Sequence, residues 1–545
     1  MGESLPQYQR RSREWFLALV VGALGLWLAH RHQFTSAFDL FPGPRGDTRL
    51  IAYLCEHWYQ AQQGKAALLS PSMFYPAKGT LGYSDALLLF VPPYSLLRCL
   101  GFNIFTALAF TVVGFNFLNF VAGFALLYNA LRFRWLPAVT GALFFAFNNP
   151  KIYGSDHLQL QPVWLLAIIA ACVVVFFRDG RSLTSKRAFG LIALAGLGLD
   201  IQLLTAFYLG WFLVFWSGLF LGLAVCFRQS RDFLHDAFLH HWRPMVGAIA
   251  VTVAGLVPFL ILYLPALRDV GGWPYTMALR YIPEFPSYLL MGDGNFVWLR
   301  MPAAILRTPV SELDGGRCVG IGVVPTVAWM AVSVLAVRFR ARRPFLALVI
   351  LSVNLLVVLA LQYHGHSAWH VIYKLVPGAK SIRAVSRFMI FAALPMSVGF
   401  AFAIEQAWQW CGTRAGCRVA LVSVIAFGAF EQFSSGAGQY YSIHAENSRL
   451  QRLAAKLPAD CAAFYVTAQR PDDQPLDSFQ NQQWMHDAMF ISLMRHIPTL
   501  NGRSGKSPPG WELREITAPD YEAKVREWIQ QRHISVGVCR LEIDE

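Results

Sequence analysis

The sequence predicts an all-α polytopic membrane protein with about 11 transmembrane helices and a small C-terminal α/β extracytoplasmic domain. Three observations support this fold class. Of the 545 residues, 55% are hydrophobic and only 14% are charged, whereas a soluble domain has about 25% charged residues. Apolar runs of about 20 residues, the length of a transmembrane helix, recur along the chain. Lysine and arginine collect in alternate gaps between these runs, as the positive-inside rule requires.

The strongly basic balance does not indicate a nucleic-acid-binding protein. The net charge is +14, a value that is also typical of proteins that bind nucleic acid. The positive residues, however, lie mostly in short gaps between apolar segments, and no basic stripe with interleaved aromatic residues occurs outside these gaps. Membrane lipids are therefore the expected environment, and no nucleic-acid partner is expected.

The first apolar run, 15–29, follows a cluster of arginines at positions 10, 11 and 13. A signal peptide would have the same charge pattern, but no convincing small-residue cleavage site follows the run. We therefore expect a retained anchor with a cytoplasmic N-terminus.

The remaining apolar runs complete a set of about 11 candidate spans, and every second gap between them is basic. The spans are 14–30, 104–130, 135–150, 161–178, 188–207, 209–227, 246–265, 319–337, 344–362, 388–407 and 418–434. The segment 86–100 is apolar but short, and Pro92 and Pro93 interrupt it, so it is interpreted as interfacial or re-entrant. Counting it as a span would place the arginine-rich gaps outside.

This topology places four polar segments on the outer side of the membrane. They are 31–103, 151–160, 266–318 and 363–387, and they belong to a membrane module that covers 1–434. The polar tail, 435–545, also lies outside and forms the predicted α/β domain. Its strand-like runs are 461–467, 497–500 and 534–543, and helix-like stretches lie near 482–495 and 519–531. Cys461 and Cys539 form either a disulfide on this oxidising side or two buried free thiols.

The first outer segment contains an acid followed by an amphipathic helix. From Asp47 onward, Leu50, Leu54 and Trp58 recur every four residues and form one apolar face. A helix of this pattern lies on a membrane surface. The simplest role of Asp47 is to cap free N–H groups at the start of the helix, and a catalytic role is the alternative.

Short motifs in three other polar segments accompany this layout. The second outer segment reads KIYGSDHLQLQ (151–161), the last reads PGAKSIRAVSRF (377–388), and the tail contains IPTLNGRSG (497–505). Together with an acid just after the first span, they resemble the GT-C superfamily of integral membrane glycosyltransferases, in its bacterial, polyprenyl-phosphate-sugar-dependent form. Asp47 is followed by Thr48 and not by a second acid, and no WWD-type signature occurs, so the resemblance leaves the subfamily and the acceptor open.

The resemblance implies a set of site residues. Asp47 is the predicted general base or acceptor-orienting acid, and Asp156 is the second catalytic candidate, because the acceptor hydroxyl needs a carboxylate. Cations suit the departing phosphate, although each also fits a lipid headgroup. The predicted substrate-binding residues are Arg49, Lys78, Asp85, His157, Gln159, Asp200, Arg383 and Arg387. Asp200 is included because an acid within a span usually faces a cavity or a partner.

Neither a metal nor another cofactor is firmly indicated. His364, His366 and His370 have helix-like spacing but lack an HExxH context, so we favour a polar interfacial loop there. A divalent metal ion remains open. The expected partners are a polyprenyl-phosphate-linked sugar and a glycan, lipid or protein acceptor. The expected location is the bacterial inner membrane, with the C-terminal domain on the periplasmic side.

Two other function classes fit the composition. A transporter or flippase for a lipid-linked glycan would also be polytopic, but the sequence shows no similar halves with broken helices, and its polar residues collect in outer segments. A scaffold protein with a partner-binding tail is less consistent with the large outer segments. The sequence therefore favours the glycosyltransferase.

Overall fold

A computed structural model describes residues 7–43, 45–292, 294–298, 317–339, 343–434, 440–469 and 479–543. Residues 299–316 of the predicted third outer segment lie outside the described residues. So do 435–439 and 470–478 of the predicted tail domain.

Most of the described chain is helical. The helices are α1 (Gln7–Thr35), α2 (Asp47–Gln62), α3 (Val91–Cys99), α4 (Ile104–Phe124), α5 (Trp135–Phe147), α6 (Asn149–Tyr153), α7 (Trp164–Asp179), α8 (Ser185–Thr205), α9 (Phe207–Cys226), α10 (Arg228–Gly255), α11 (Val257–Val270), α12 (Tyr275–Leu279), α13 (Val323–Phe339), α14 (Pro344–Leu359), α15 (Trp369–Leu375), α16 (Phe388–Cys411), α17 (Ala415–Phe430), α18 (Ile443–Ala455), α19 (Phe479–Arg495) and α20 (Tyr521–Gln531). The strands are β1 (Leu40–Pro42), β2 (Gln362–Tyr363), β3 (His366–Ser367), β4 (Tyr440–Ser442), β5 (Ala463–Ala468) and β6 (Val538–Ile543).

The predicted class, an all-α polytopic membrane protein, is confirmed. Within the described ranges, six helices are long and apolar enough to cross a membrane, and the bent pair α10–α11 makes a seventh. The other predicted spans fall on shorter apolar helices, among them α13, α14 and α17. The count of 11 spans therefore remains a prediction.

Helix α16 lies at the centre of the helical part. Of its most apolar 18-residue window, 83% is buried, against 17% for α1. Its first turns read FMIFAALPM, and all nine of these residues are buried. Apolar side chains on every face suit a helix that packs against neighbours on all sides. This position fixes the 377–388 stretch, which leads directly into α16.

The segment 86–100 forms a single 3-10 turn followed by α3, which has nine residues. At 1.5 Å per residue such a helix extends about 14 Å, roughly half the thickness of the hydrocarbon core. Its length agrees with the interfacial or re-entrant interpretation.

The tail contains a small parallel sheet and is joined to the first predicted outer segment. Strands β5 and β6 pair in parallel, and a bridge from Phe464 to Thr499 adds a third chain segment. A Cys461–Cys539 disulfide links these strands, which is one of the two alternatives left open by the sequence. Strand β1 pairs with β4, and one hydrophobic core contains side chains from both 41–115 and 441–543. The domain boundary at 434 stays a prediction, and this core crosses it.

Candidate active site

Asp47 is the first residue of α2, but its carboxylate does not cap the helix. The N-cap position is Gly46, and no side-chain capping hydrogen bond is formed there. The Asp47 carboxylate is instead directed toward the 151–160 segment, where its Oδ2 lies 3.2 Å from Nδ1 of His157. The capping role considered from the sequence is therefore not what this side chain does.

The 151–160 segment is held rigidly behind His157. The Asn148 side chain caps α6 by accepting a hydrogen bond from the backbone N–H of Lys151. The Lys151 ammonium is fully buried, donates to the carbonyl of Ala146 at 2.6 Å and also contacts Asn116. Burial lowers the pKa of Lys151 to about 7. These contacts fix the base of the loop that carries Asp156 and His157.

Gly43 allows the two segments to approach each other. Its φ is +90°, and a Cβ built on it would lie 3.4 Å from the Cα of Asp156. A positive φ is readily adopted only by glycine, so a larger residue here would strain the backbone and press on the loop.

The imidazole of His157 lies between two carboxylates. Its Nδ1 faces Asp47, and its Nε2 lies 3.7 Å from Oδ2 of Asp156. The side chains of Asp47, Asp156 and His157 are 40%, 30% and 22% exposed, so water and a ligand reach all three. Both contacts are at ion-pair distance, and within the described residues the buried Nδ1 makes no hydrogen bond of good geometry. The structure thus brings together the two predicted catalytic acids and one predicted substrate-binding residue.

The electrostatic surroundings keep Asp47 ionised. Burial raises the pKa of its carboxyl group, but contact with His157 and the charges of Arg503 and Arg387 outweigh burial and hold the pKa well below its usual range. The positive charges of Arg387 and Arg503 therefore act on the Asp47 carboxylate.

Arg383 and Arg387 form a cationic rim on this site. The backbone N–H groups of Arg383 and Ala384 both donate to the hydroxyl of Tyr208, at 2.9 and 3.2 Å. The Arg387 guanidinium lies over the Tyr208 ring, 5.1 Å from its centroid. Short 3-10 turns over 379–381 and 385–387 flank Arg383, and Tyr208 contacts the backbone of Arg383 and the side chain of Arg387.

Neither of these arginines is neutralised by a carboxylate at ion-pair distance within the described part of the chain. Arg383 makes cation–π contacts with Trp273 and Tyr281, at 5.0 and 5.5 Å. Such contacts leave the N–H donors at the edge of the guanidinium able to bind an anion.

Asp85 lies at the margin of this site and has a structural contact. Its Oδ1 accepts a hydrogen bond from the backbone N–H of Phe207, the first residue of α9. Burial raises the pKa of the Asp85 carboxyl, and the Phe207 N–H and the charges of Arg387 and His157 act against this shift. A carboxylate in this position complements the helix N-terminus.

Four other predicted site residues are not seen to contact this group. Arg49 is completely buried and paired with Glu446 at 3.0 Å and with Asp487. Lys78 is exposed. The amide oxygen of Gln159 is buried without a protein partner. Asp200 is buried and packs against Gly255 of α10. A Cβ added to Gly255 would lie 2.1 Å from the Oδ2 atom of Asp200.

Arg503 and Lys506 lie in and next to the tail motif 497–505, and no sequence pattern marks them as site residues. The charge of Arg503 acts on Asp47. The Lys506 ammonium lies 3.8 Å from the centroid of the Trp273 ring. The residues of this motif do not indicate that the tail folds back onto the helical part.

No group of three His, Cys, Asp or Glu side chains able to hold a metal ion is found among the described residues. His364 and His366 belong to the β2–β3 hairpin, and His370 stacks on Tyr275 with ring centroids 4.5 Å apart.

Solved structures that match this chain include two of one protein. The structure resembles ArnT. ArnT from Cupriavidus metallidurans bound to undecaprenyl phosphate has 13% sequence identity and a TM-score of 0.44, and the match covers 91% of this chain and 86% of that chain. The apo state of the same protein has 13% identity and a TM-score of 0.35, with 90% and 86% covered.

No family model and no curated protein matches the chain. At this identity and TM-score the likeness to ArnT carries no argument about activity, so the function is argued from the site.

Proposed function

We propose that this protein is an integral membrane glycosyltransferase. It moves a sugar from a polyprenyl-phosphate carrier to a glycan, lipid or protein acceptor on the outer side of the bacterial inner membrane. The observation that carries this proposal is an ionised carboxylate, Asp47, held against His157 and facing the cationic rim of Arg387. A carboxylate that lies within the electrostatic reach of a cation matches the two charges that such a transfer handles.

The reaction breaks one bond and forms another at the anomeric carbon. The bond from this carbon to the phosphate oxygen breaks, and the electron pair leaves with the phosphate. The acceptor oxygen forms the new bond and loses its proton. A positioned carboxylate near the acceptor hydroxyl is worth roughly 10²–10⁴-fold in rate as a general base.

The low pKa of Asp47 defines the part it plays in this step. A carboxylate with a depressed pKa is a weak base in the resting enzyme, because the optimal pKa lies near the working pH. Asp47 therefore orients the acceptor hydroxyl by accepting its hydrogen bond, and it takes the proton as the oxygen becomes acidic in the transition state. His157 fixes the Asp47 carboxylate, and Asp156 fixes the other side of the imidazole.

Arg383 and Arg387 supply the complementary charge. The leaving phosphate gains negative charge as the glycosidic bond breaks, and guanidinium groups stabilise it through paired N–H donors. Both arginines precede the buried helix α16 and are held by Tyr208. Their geometry is thus set before the donor binds, which lowers the reorganisation needed during the reaction.

The experiment compares Asp47→Asn with Asp269→Asn in a deletion strain. Asp269 is an exposed acid at the end of α11, so its change controls for the loss of one charge. Wild type and Asp269→Asn should restore the same glycan decoration, while Asp47→Asn should reduce the initial rate of transfer by roughly 10²–10⁴-fold.

Lipid and glycan profiling provides the readout. An accumulated sugar–phosphate lipid together with a missing decoration is expected for Asp47→Asn. Unchanged decoration in Asp47→Asn and in Asp156→Asn would refute the carboxylate mechanism. A donor lipid trapped on the inner leaflet, detected with a leaflet-specific label, would indicate a flippase instead.

A further inference from the structure

Trp273, in the loop between α11 and α12, is a fixed aromatic platform next to the cationic rim. Its backbone N–H donates to the carbonyl of Lys380 at 2.7 Å, and its carbonyl accepts a hydrogen bond from the hydroxyl of Tyr373 at 2.8 Å. Both peptide groups of this residue are therefore tied to the segment that leads into α16, and the indole has a defined position.

Two cations from distant parts of the chain meet on this indole. The Lys506 ammonium, from the tail, lies 3.8 Å from the ring centroid and donates to the carbonyl of Gly272 at 3.2 Å. The Arg383 guanidinium, from the membrane part, lies 5.0 Å from the same centroid. Burial and the nearby charge of Arg383 lower the pKa of Lys506, as expected when like charges are brought together.

Among the described residues, this pair of cations has no acid of the kind that accompanies some other partly buried arginines. Arg98, for example, pairs with Glu56 at 2.7 Å. No carboxylate lies at ion-pair distance from Lys506 or Arg383 among the residues that the structure describes. The indole quadrupole offsets only part of the repulsion, so an anion at this point would stabilise the arrangement.

We infer that Lys506 of the tail and Arg383 of the membrane part form the two sides of a phosphate-binding site, with Trp273 as its floor. This inference rests on the proposed function and extends it, because it makes the tail a part of the substrate site. The ligand is a phosphate group, which belongs either to the lipid-linked donor or to a phosphorylated acceptor. Arg503, three residues before Lys506 on the same loop, acts on Asp47, so one loop of the tail reaches both the anion and the acid.

The test is a binding measurement on the purified full-length protein, independent of catalysis. Three probes are used at low ionic strength: inorganic phosphate, nanodiscs of a zwitterionic lipid containing polyprenyl phosphate, and the same nanodiscs without it. Lys506→Gln removes the charge at a half-buried position, Lys506→Arg keeps it, and Lys374→Gln removes an exposed lysine of α15 as the control. Thermal unfolding of each variant verifies that it is folded.

Lys506→Gln should weaken phosphate binding by roughly tenfold to a hundredfold, the effect of losing one charged hydrogen bond. Lys506→Arg and Lys374→Gln should stay within about twofold of wild type. Weakening with both phosphate probes would assign the site to the donor, and weakening with inorganic phosphate alone would assign it to a phosphorylated acceptor. Unchanged affinity of Lys506→Gln for both, or an equal loss in Lys374→Gln, would overturn the inference.

The outcome is separable from that of the proposed function. Asp47→Asn should bind the same probes as wild type does, since it removes no cation from the clamp. If the clamp binds phosphate and Asp47→Asn still transfers sugar, the carboxylate mechanism fails and the phosphate site stands. If Asp47→Asn abolishes transfer and Lys506→Gln binds normally, the phosphate site fails and the mechanism stands.

Discussion

Replacement of Arg49 by methionine tests whether this residue holds the tail to α2 or binds substrate. The Arg49 guanidinium is fully buried and donates to the carbonyl of Gln483 at 3.1 Å. It also pairs with Glu446 of α18 and Asp487 of α19. Arg449 contacts the same two carboxylates, and the partly exposed Arg45 also lies 3.4 Å from Glu446. Methionine has a similar length and no charge.

The expected loss follows from the charge left behind. Without Arg49, the two buried carboxylates keep only Arg449 and the partly exposed Arg45 as counter-charges, and the carbonyl of Gln483 loses a buried donor. Breaking a buried pair by removing one partner costs about 3–5 kcal/mol. Arg449 remains in place and shields both acids, so we expect a decrease of about 3 kcal/mol in the free energy of unfolding of the tail.

Arg45→Met is the matched control. Arg45 also faces Glu446, at 3.4 Å, but its side chain is 35% exposed. Exposed pairs contribute about 0–1 kcal/mol, so this variant should unfold almost as wild type does.

The assay is urea unfolding of the detergent-solubilised full-length protein, followed by pulse proteolysis of the tail. Phosphate binding, measured with the probes described above, should be unchanged in Arg49→Met wherever the protein remains folded. Equal unfolding midpoints for the two variants would refute the structural interpretation of Arg49. Loss of phosphate binding in Arg49→Met at unchanged stability would indicate that Arg49 binds substrate, as the sequence predicts.

Two further predictions concern pH and redox state. Burial raises the pKa of Asp487, but its two arginine partners outweigh burial and hold the pKa below 3.8. The ionised form of Asp487 therefore stabilises the fold above about pH 4. This contribution to the free energy of unfolding is lost as the pH falls further. Urea midpoints measured from pH 7 to 3 should fall most steeply at the acid end, and a flat profile would contradict this. Thiol labelling in cells should find Cys461 and Cys539 blocked until a reductant is added. The structure also joins Cys411 to Cys417, but this pair lies in a gap predicted to be cytoplasmic. Because that compartment is reducing, both residues should be labelled as free thiols after permeabilisation. The reverse labelling pattern of the two pairs would invert the predicted topology.

Much of the helical part could be predicted from local sequence. Hydropathy and periodicity act over about 20 residues, so each predicted span falls on a helix, and α2 begins at Asp47 as its apolar repeat indicates. The acids of 31–103 and 151–160 are predicted from the resemblance to the GT-C superfamily, which needs only the order of spans and polar segments. The contact of both Asp47 and Asp156 with His157 follows only from the tertiary structure.

The sequence by itself determined the class of protein, the approximate places of its helices and the polar segments that carry Asp47, His157 and Arg387. Only the tertiary structure decided what each charge does. Arg49 became the partner of an acid 438 residues away, and the tail supplied a lysine to the rim of the site. The physical reason is that helix formation depends on neighbours in sequence, whereas the role of a charged group depends on the groups that surround it in space.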